Sequence, residues 1–153
     1  MTAGVLLRAD EREVALAEVD AVRDVVQPGE YRERLDGLAT RLDQGDALDE
    51  SDAGELDRLI ALALQSGRVR ALYGPGGEQA ALRAYRKLPS GAELTASVTA
   101  VNEALGALRG RALERVTIAA VGPGAFTIAV VVDGAELSLR FDRQGARLAS
   151  VGV

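Results

Sequence analysis

The chain has 153 residues, 48% of them hydrophobic, enough for one domain or two small subdomains with a real core. It has no Cys and no His, which removes disulfides, thiol nucleophiles, imidazole bases and the usual zinc ligand sets. Aromatic residues are only 3%, with no Trp, and the net charge is −5, so stacked bases and polyanions are poor partners.

Charge is unevenly spread. Residues 1–57 carry 16 acidic and 6 basic side chains, whereas residues 58–91 carry 6 basic and 1 acidic. Residues 92–153 carry six of each. The acidic and basic stretches are expected to attract each other, within the chain or across a dimer, unless the basic one meets an anion. Met1 to Leu7 has only a brief apolar run without a basic flank, too short for a signal peptide. No stretch reaches the length of a membrane span, so a soluble, cytoplasmic protein is expected.

Periodicity predicts a first helix over 10–27. Asp10 and Glu13 stand at cap and third-residue spacing, and Val14, Ala17, Ala21 and Val25 form a stripe. Pro28 and Gly29 punctuate it. A second helix is expected from about Pro28 to Gln44, with Tyr31, Leu35, Leu38 and Leu42 on one face and Gly37 permitting close packing. Gly45 is its stop.

Asp43, Asp46, Asp49, Glu50 and Asp52 superficially suggest a calcium loop, but the central Gly and the terminal bidentate Glu are missing. Asp49 suits an N-cap instead, with Leu48 as a hydrophobic staple. No metal and no cofactor is therefore expected. A third helix follows, roughly Glu50 to Ser66. Its Leu56, Leu59, Ile60, Leu62, Ala63 and Leu64 cover most of its circumference, which predicts a central position. Gly67 ends it.

Arg68 to Tyr73 reads as a connector or short strand, since Val69, Ala71 and Tyr73 alternate with Arg68, Arg70 and Leu72. Gly74, Pro75, Gly76 and Gly77 then form a turn into a fourth helix that runs to Leu88, with Pro89 as its stop. Ser90 and Glu93 have capping-box spacing for a fifth helix, and Gly110 suits its left-handed end. Leu94, Val98, Val101, Leu105 and Leu108 form its apolar stripe.

An antiparallel meander is predicted after it. Glu114, Val116, Ile118 and Ala120 alternate in a first strand, and Gly122, Pro123 and Gly124 break it. Phe126, Ile128, Val130 and Val132 then alternate in a second strand, and Ala135, Leu137, Leu139 and Phe141 in a third. Asp133 and Gly134 between them suit a type I′ turn, which sets Val132 opposite Ala135 and Phe126 opposite Phe141. Asp142 to Gly145 suits a type I turn with a glycine bulge. That register puts Ala149, Val151 and Val153 on the buried face and Leu148 on the other, and a four-residue loop would reverse it.

The expected fold is α+β: a helical part of about four helices over 1–89, then a helix packed on a four-stranded antiparallel meander over 90–153. No catalytic set is visible, so a non-catalytic interaction or assembly module is expected, working with another protein or a second copy of itself. Its candidate interface is the outer sheet face, with Thr127, Ala129, Val131, Ser138 and Arg140. The alternative is a small-anion or nucleotide-phosphate binder. It would use the free N–H groups of the turn at Gly74, Gly76 and Gly77, with Arg68, Arg70 and Arg83 nearby. Against it, the turn lacks a Walker lysine, and Glu78 places a negative charge beside it. No membrane or nucleic-acid partner is expected.

Overall fold

The structure, a computed structural model, describes residues 4–152. Five helices precede four strands: α1 (Ala9–Arg23), α2 (Glu30–Gln44), α3 (Glu50–Gln65), α4 (Arg68–Lys87), α5 (Pro89–Gly106), β1 (Leu113–Gly122), β2 (Ala125–Val132), β3 (Ala135–Asp142) and β4 (Gly145–Gly152). The order is α+β, with α5 lying on the sheet. The chain divides into two compact units, one ending at Ala92 and one beginning at Glu93. Among the described residues, no helix is long and apolar enough to cross a membrane.

In the helical unit, Leu35, Leu38, Leu42, Leu48, Leu56, Ile60 and Leu88 form the core with Ala15 and Val19. The central helix is α1, which packs against α2, α3 and α4. The expectation that α3 would be central fails because Leu62 faces solvent; the buried face of α3 is the narrower set Ala53, Leu56, Asp57, Ile60 and Ala63. Helix α1 also starts earlier than expected. Its N-cap is Arg8, whose N–H donates to the Glu11 carboxylate at 2.8 Å, so Asp10 and Glu13 are not the cap pair. It ends at Arg23, and Val25 is left exposed instead of joining the core.

Two predicted terminators act as read. Gly45 (φ 77°) and Gly67 (φ 72°) take the left-handed conformation after α2 and α3. The Asp49 side chain caps α3 by accepting from the Asp52 N–H at 2.9 Å. Leu48 is buried and exchanges two backbone hydrogen bonds with Val5, which ties the N-terminal segment to the α2–α3 loop. Gly37 does not mediate close packing, because a Cβ there would meet open space.

Arg68 to Tyr73 is helical, contrary to the extended reading. Gly67 turns the chain straight into α4, and Val69 is fully buried. Gly74 (φ 68°, ψ −171°) then kinks the helix, and Pro75 begins the next turn, where its missing N–H costs nothing. The junction with α5 also differs. Leu88 is extended, Pro89 opens α5, and Ser90 lies inside the first turn instead of capping it. Ser90 uses its N–H and hydroxyl to donate to the buried Asp57 carboxylate of α3.

In the second unit the strand order is β1-β2-β3-β4, all antiparallel. Val132 opposes Ala135, Val130 opposes Leu137, Ile128 opposes Leu139 and Phe126 opposes Phe141, as the hairpin chemistry predicts. Asp133 (φ 50°) and Gly134 (φ 76°) both have the positive φ of a type I′ turn. The last strand corrects the predicted register. Leu148 faces Leu139 on the helix side, and a bulge at Ala149 restores Val151 to that side, opposite Leu137. Val153 lies outside the described residues.

The face that α5 turns to the sheet is part of the predicted stripe, namely Leu94, Val101 and Leu108. Val101 is buried among Val130, Val132, Leu137 and Leu139, with Ala104 and Leu108 packed beside it. Val98 and Leu105 are exposed. Ser97 and Ala104 flank Val101 on one side of the helix, Val98 and Leu105 on the other. The Ser97 hydroxyl donates to the Ala146 carbonyl of β4, so the Val98–Leu105 flank looks toward β1. Beyond Gly106 the chain continues in turns to Gly110 (φ 78°), the predicted left-handed residue.

Candidate functional site

Around the glycine turn, Gly76 and Gly77 line an open cleft of about 380 Å³ between α1 and α4, with Val14, Ala17, Tyr73 and Ala80. Its charged walls are Asp10 and Glu13. Gly77 is glycine for a steric reason: a Cβ would run into the Tyr73 side chain, which folds back across the kink. The three arginines of the anion reading do not line the cleft. Arg68 donates to Glu18 at 3.1 Å, Arg70 pairs with Glu78 at 3.8 Å, and Arg83 pairs with Asp10. Glu18, itself buried, also accepts from the Tyr73 hydroxyl at 2.8 Å. The hydrogen bond from Arg83 holds the Asp10 carboxyl below its usual range. Lys87 reaches the buried Glu11 at 2.6 Å. The acidic stretch and the basic stretch thus meet within the chain, α1 carboxylates against α4 cations.

A second cleft, of about 410 Å³, lies between α2 and α3 and was not legible in the sequence. Arg34, Arg41 and Arg58 line it together with Asp49, Asp52 and Glu55. Arg41 reaches Asp49 at 2.7 Å and Asp52 at 2.6 Å, and Arg58 pairs with Glu55. Burial lifts the Asp52 carboxyl above its usual range, against the pull of Arg41 and with the push of Asp49. Burial also opposes ionisation of Glu55, but the Tyr31 hydroxyl and Arg58 outweigh it and hold its pKa down. Three arginines and three carboxylates give the cleft no net formal charge to favour an ion of either sign. Among the described residues, no three acidic side chains gather as a metal ion would need.

The outer sheet face brings the predicted interface residues together. Thr127 opposes Arg140, Ala129 opposes Ser138, and Val131 opposes Glu136. All but Arg140 and Glu136 are half-buried. Arg140 is tied to Asp142 at 3.2 Å, and Arg147 pairs with the same carboxylate. The Gln144 N–H, followed by these arginines, keeps Asp142 ionised below its usual range.

The larger apolar exposure lies elsewhere. Every residue of β1 is exposed, including Leu113 (59%), Val116 (53%) and Ile118 (67%). Leu113 opposes Val132, Val116 opposes Val130 and Ile118 opposes Ile128, so all three share the helix side of the sheet. There α5 leaves them uncovered, and Phe126, Val98 and Leu105 are exposed beside them. The sequence did carry a signal. Ser97 and Ala104, small residues flanking Val101, mark the side on which helix and sheet approach closely, and so assign Val98 and Leu105 to the open flank.

No protein-family model matches the chain, and no curated protein and no solved structure matches it.

Proposed function

We propose that this chain is a non-catalytic assembly module that associates with itself through its β-unit. The observation that carries the reading is the apolar strand β1, whose large side chains stand on the helix side of the sheet and are left exposed there. Exposed apolar patches of this kind, on an otherwise charged protein, mark association surfaces. Arg41, Arg58, Arg68 and Arg83 of the helical unit are each paired with a carboxylate, which favours this reading over anion binding. An anion at the glycine turn would meet Asp10 and Glu13 before any arginine.

Sedimentation velocity across a range of protein concentrations tests the reading. A species heavier than the 16.0 kDa chain is expected. A monomer at every concentration would refute it. A thermal-shift titration with inorganic phosphate tests the anion-binding alternative, and no shift is expected.

A further inference from the structure

We infer that the surface used is the strip between α5 and β1, and that its occupant is the same strip of a second copy, packed about a two-fold axis. The inference rests on the assembly reading and names its interface.

The strip is built from Val98 and Leu105 of α5, Leu113, Val116 and Ile118 of β1, and Phe126 of β2. It is continuous because the Val98–Leu105 flank looks toward β1 and the three β1 side chains stand on the helix side. Six large residues exposed by 37% to 67% can bury at most on the order of 1,200 Å² when two copies meet, the lower end of the range for stable interfaces. The area therefore fits a small dimer contact.

Charge fits self-association as well. From Val116 to Gly124 the sequence holds no charged residue, so the strip can meet itself without opposing like charges. The charges at its end are already matched within the copy: Arg111 with Asp133 at 3.5 Å and Arg115 with Glu136 at 3.9 Å. A two-fold contact uses the same patch twice, which requires this kind of self-complementarity. Strand β1 also forms a sheet edge whose register shifts lie only near its ends, at Glu114 and Val121, leaving Val116 to Ala120 regular and uncharged. The opposite edge, β4, carries Arg147 and the bulge at Ala149.

The test compares the wild-type chain with Ile118→Lys, Val116→Lys and, on the outer face, Val131→Lys, by sedimentation velocity with circular dichroism as the check of folding. Ile118 and Val116 are exposed, so both substitutions should leave the fold intact. The expected result is a wild-type dimer, a dimer for Val131→Lys, and a halved mass for folded Ile118→Lys and Val116→Lys. If the wild type is a dimer and both strip variants remain dimers, the strip is wrong while the assembly reading stands. If the wild type is a monomer throughout, the assembly reading itself falls, and the inference with it.

Discussion

The carboxylate of Asp57 in α3 accepts hydrogen bonds from both the backbone N–H and the hydroxyl of Ser90, thirty-three residues later in the first turn of α5. The first N–H groups of a helix have no partner within it, and an acidic side chain there also suits the helix dipole. Here the acceptor comes from another helix, so the start of α5 is fixed by tertiary structure. Asp57→Ala would remove the acceptor of both donors, and water can reach the exposed Ser90 in its place. It should cost about 1 kcal/mol in urea unfolding followed by circular dichroism, and Asp57→Asn less, since its amide oxygen can still accept.

Glycines that look alike in sequence should respond oppositely. Gly37 and Gly54 lie inside α2 and α3, where an added Cβ meets open space. Alanine at either should stabilise by about 1 kcal/mol through helix propensity. Gly91 is buried in the first turn of α5, and a Cβ there collides with the Tyr85 carbonyl. Gly91→Ala should lower the unfolding midpoint. Chemical denaturation of the three variants side by side checks the ordering.

The hairpin was legible because two independent signals agree on it. Period-two alternation fixes which residues share a face, and Asp133–Gly134 fixes the register. The β4 register was not, because a bulge at Ala149 breaks alternation without a glycine or proline to announce it. Arg68 to Tyr73 misled for a different reason. Its alternation is real, but Val69 is buried, Arg68 and Tyr73 both reach Glu18, and together they hold a helix that the local pattern does not show. The cap of α1 was missed because Arg8 has no acceptor side chain of the usual kind, and only the returning Glu11 marks it. The glycine turn and its arginines are neighbours in sequence, yet the arginines turn to other partners. Two of their carboxylate partners, Glu18 and Asp10, lie on α1, fifty and seventy-three residues away, and the third, Glu78, lies beyond the Gly74 kink of α4, so the local pattern does not reveal the pairing.

Because Gly134 holds a left-handed conformation in a turn whose register decides what the sheet buries, Gly134→Ala should cost about 1 kcal/mol. Hydrogen exchange should localise the loss. Amides of β2 and β3 should lose protection, and those of α1 to α3 should not.

Alkaline pH should act first on the helical unit. The three tyrosines of the chain are Tyr31, Tyr73 and Tyr85, all in that unit. Each has its phenol pKa raised above 10.0, by burial first, then by Glu55 at Tyr31, Glu18 at Tyr73 and Asp57 at Tyr85. A folded pKa above the unfolded one means that the folded state keeps its proton longer. The resulting stability is fully present below about pH 10 and is lost as pH rises through the folded values. Ultraviolet titration of tyrosinate absorbance should therefore show a midpoint above that of the same chain in urea. In Tyr73→Phe the remaining absorbance change should be about two thirds as large and still shifted upward. A native titration that coincides with the denatured one would show that neither burial nor the nearby carboxylates shift these phenols.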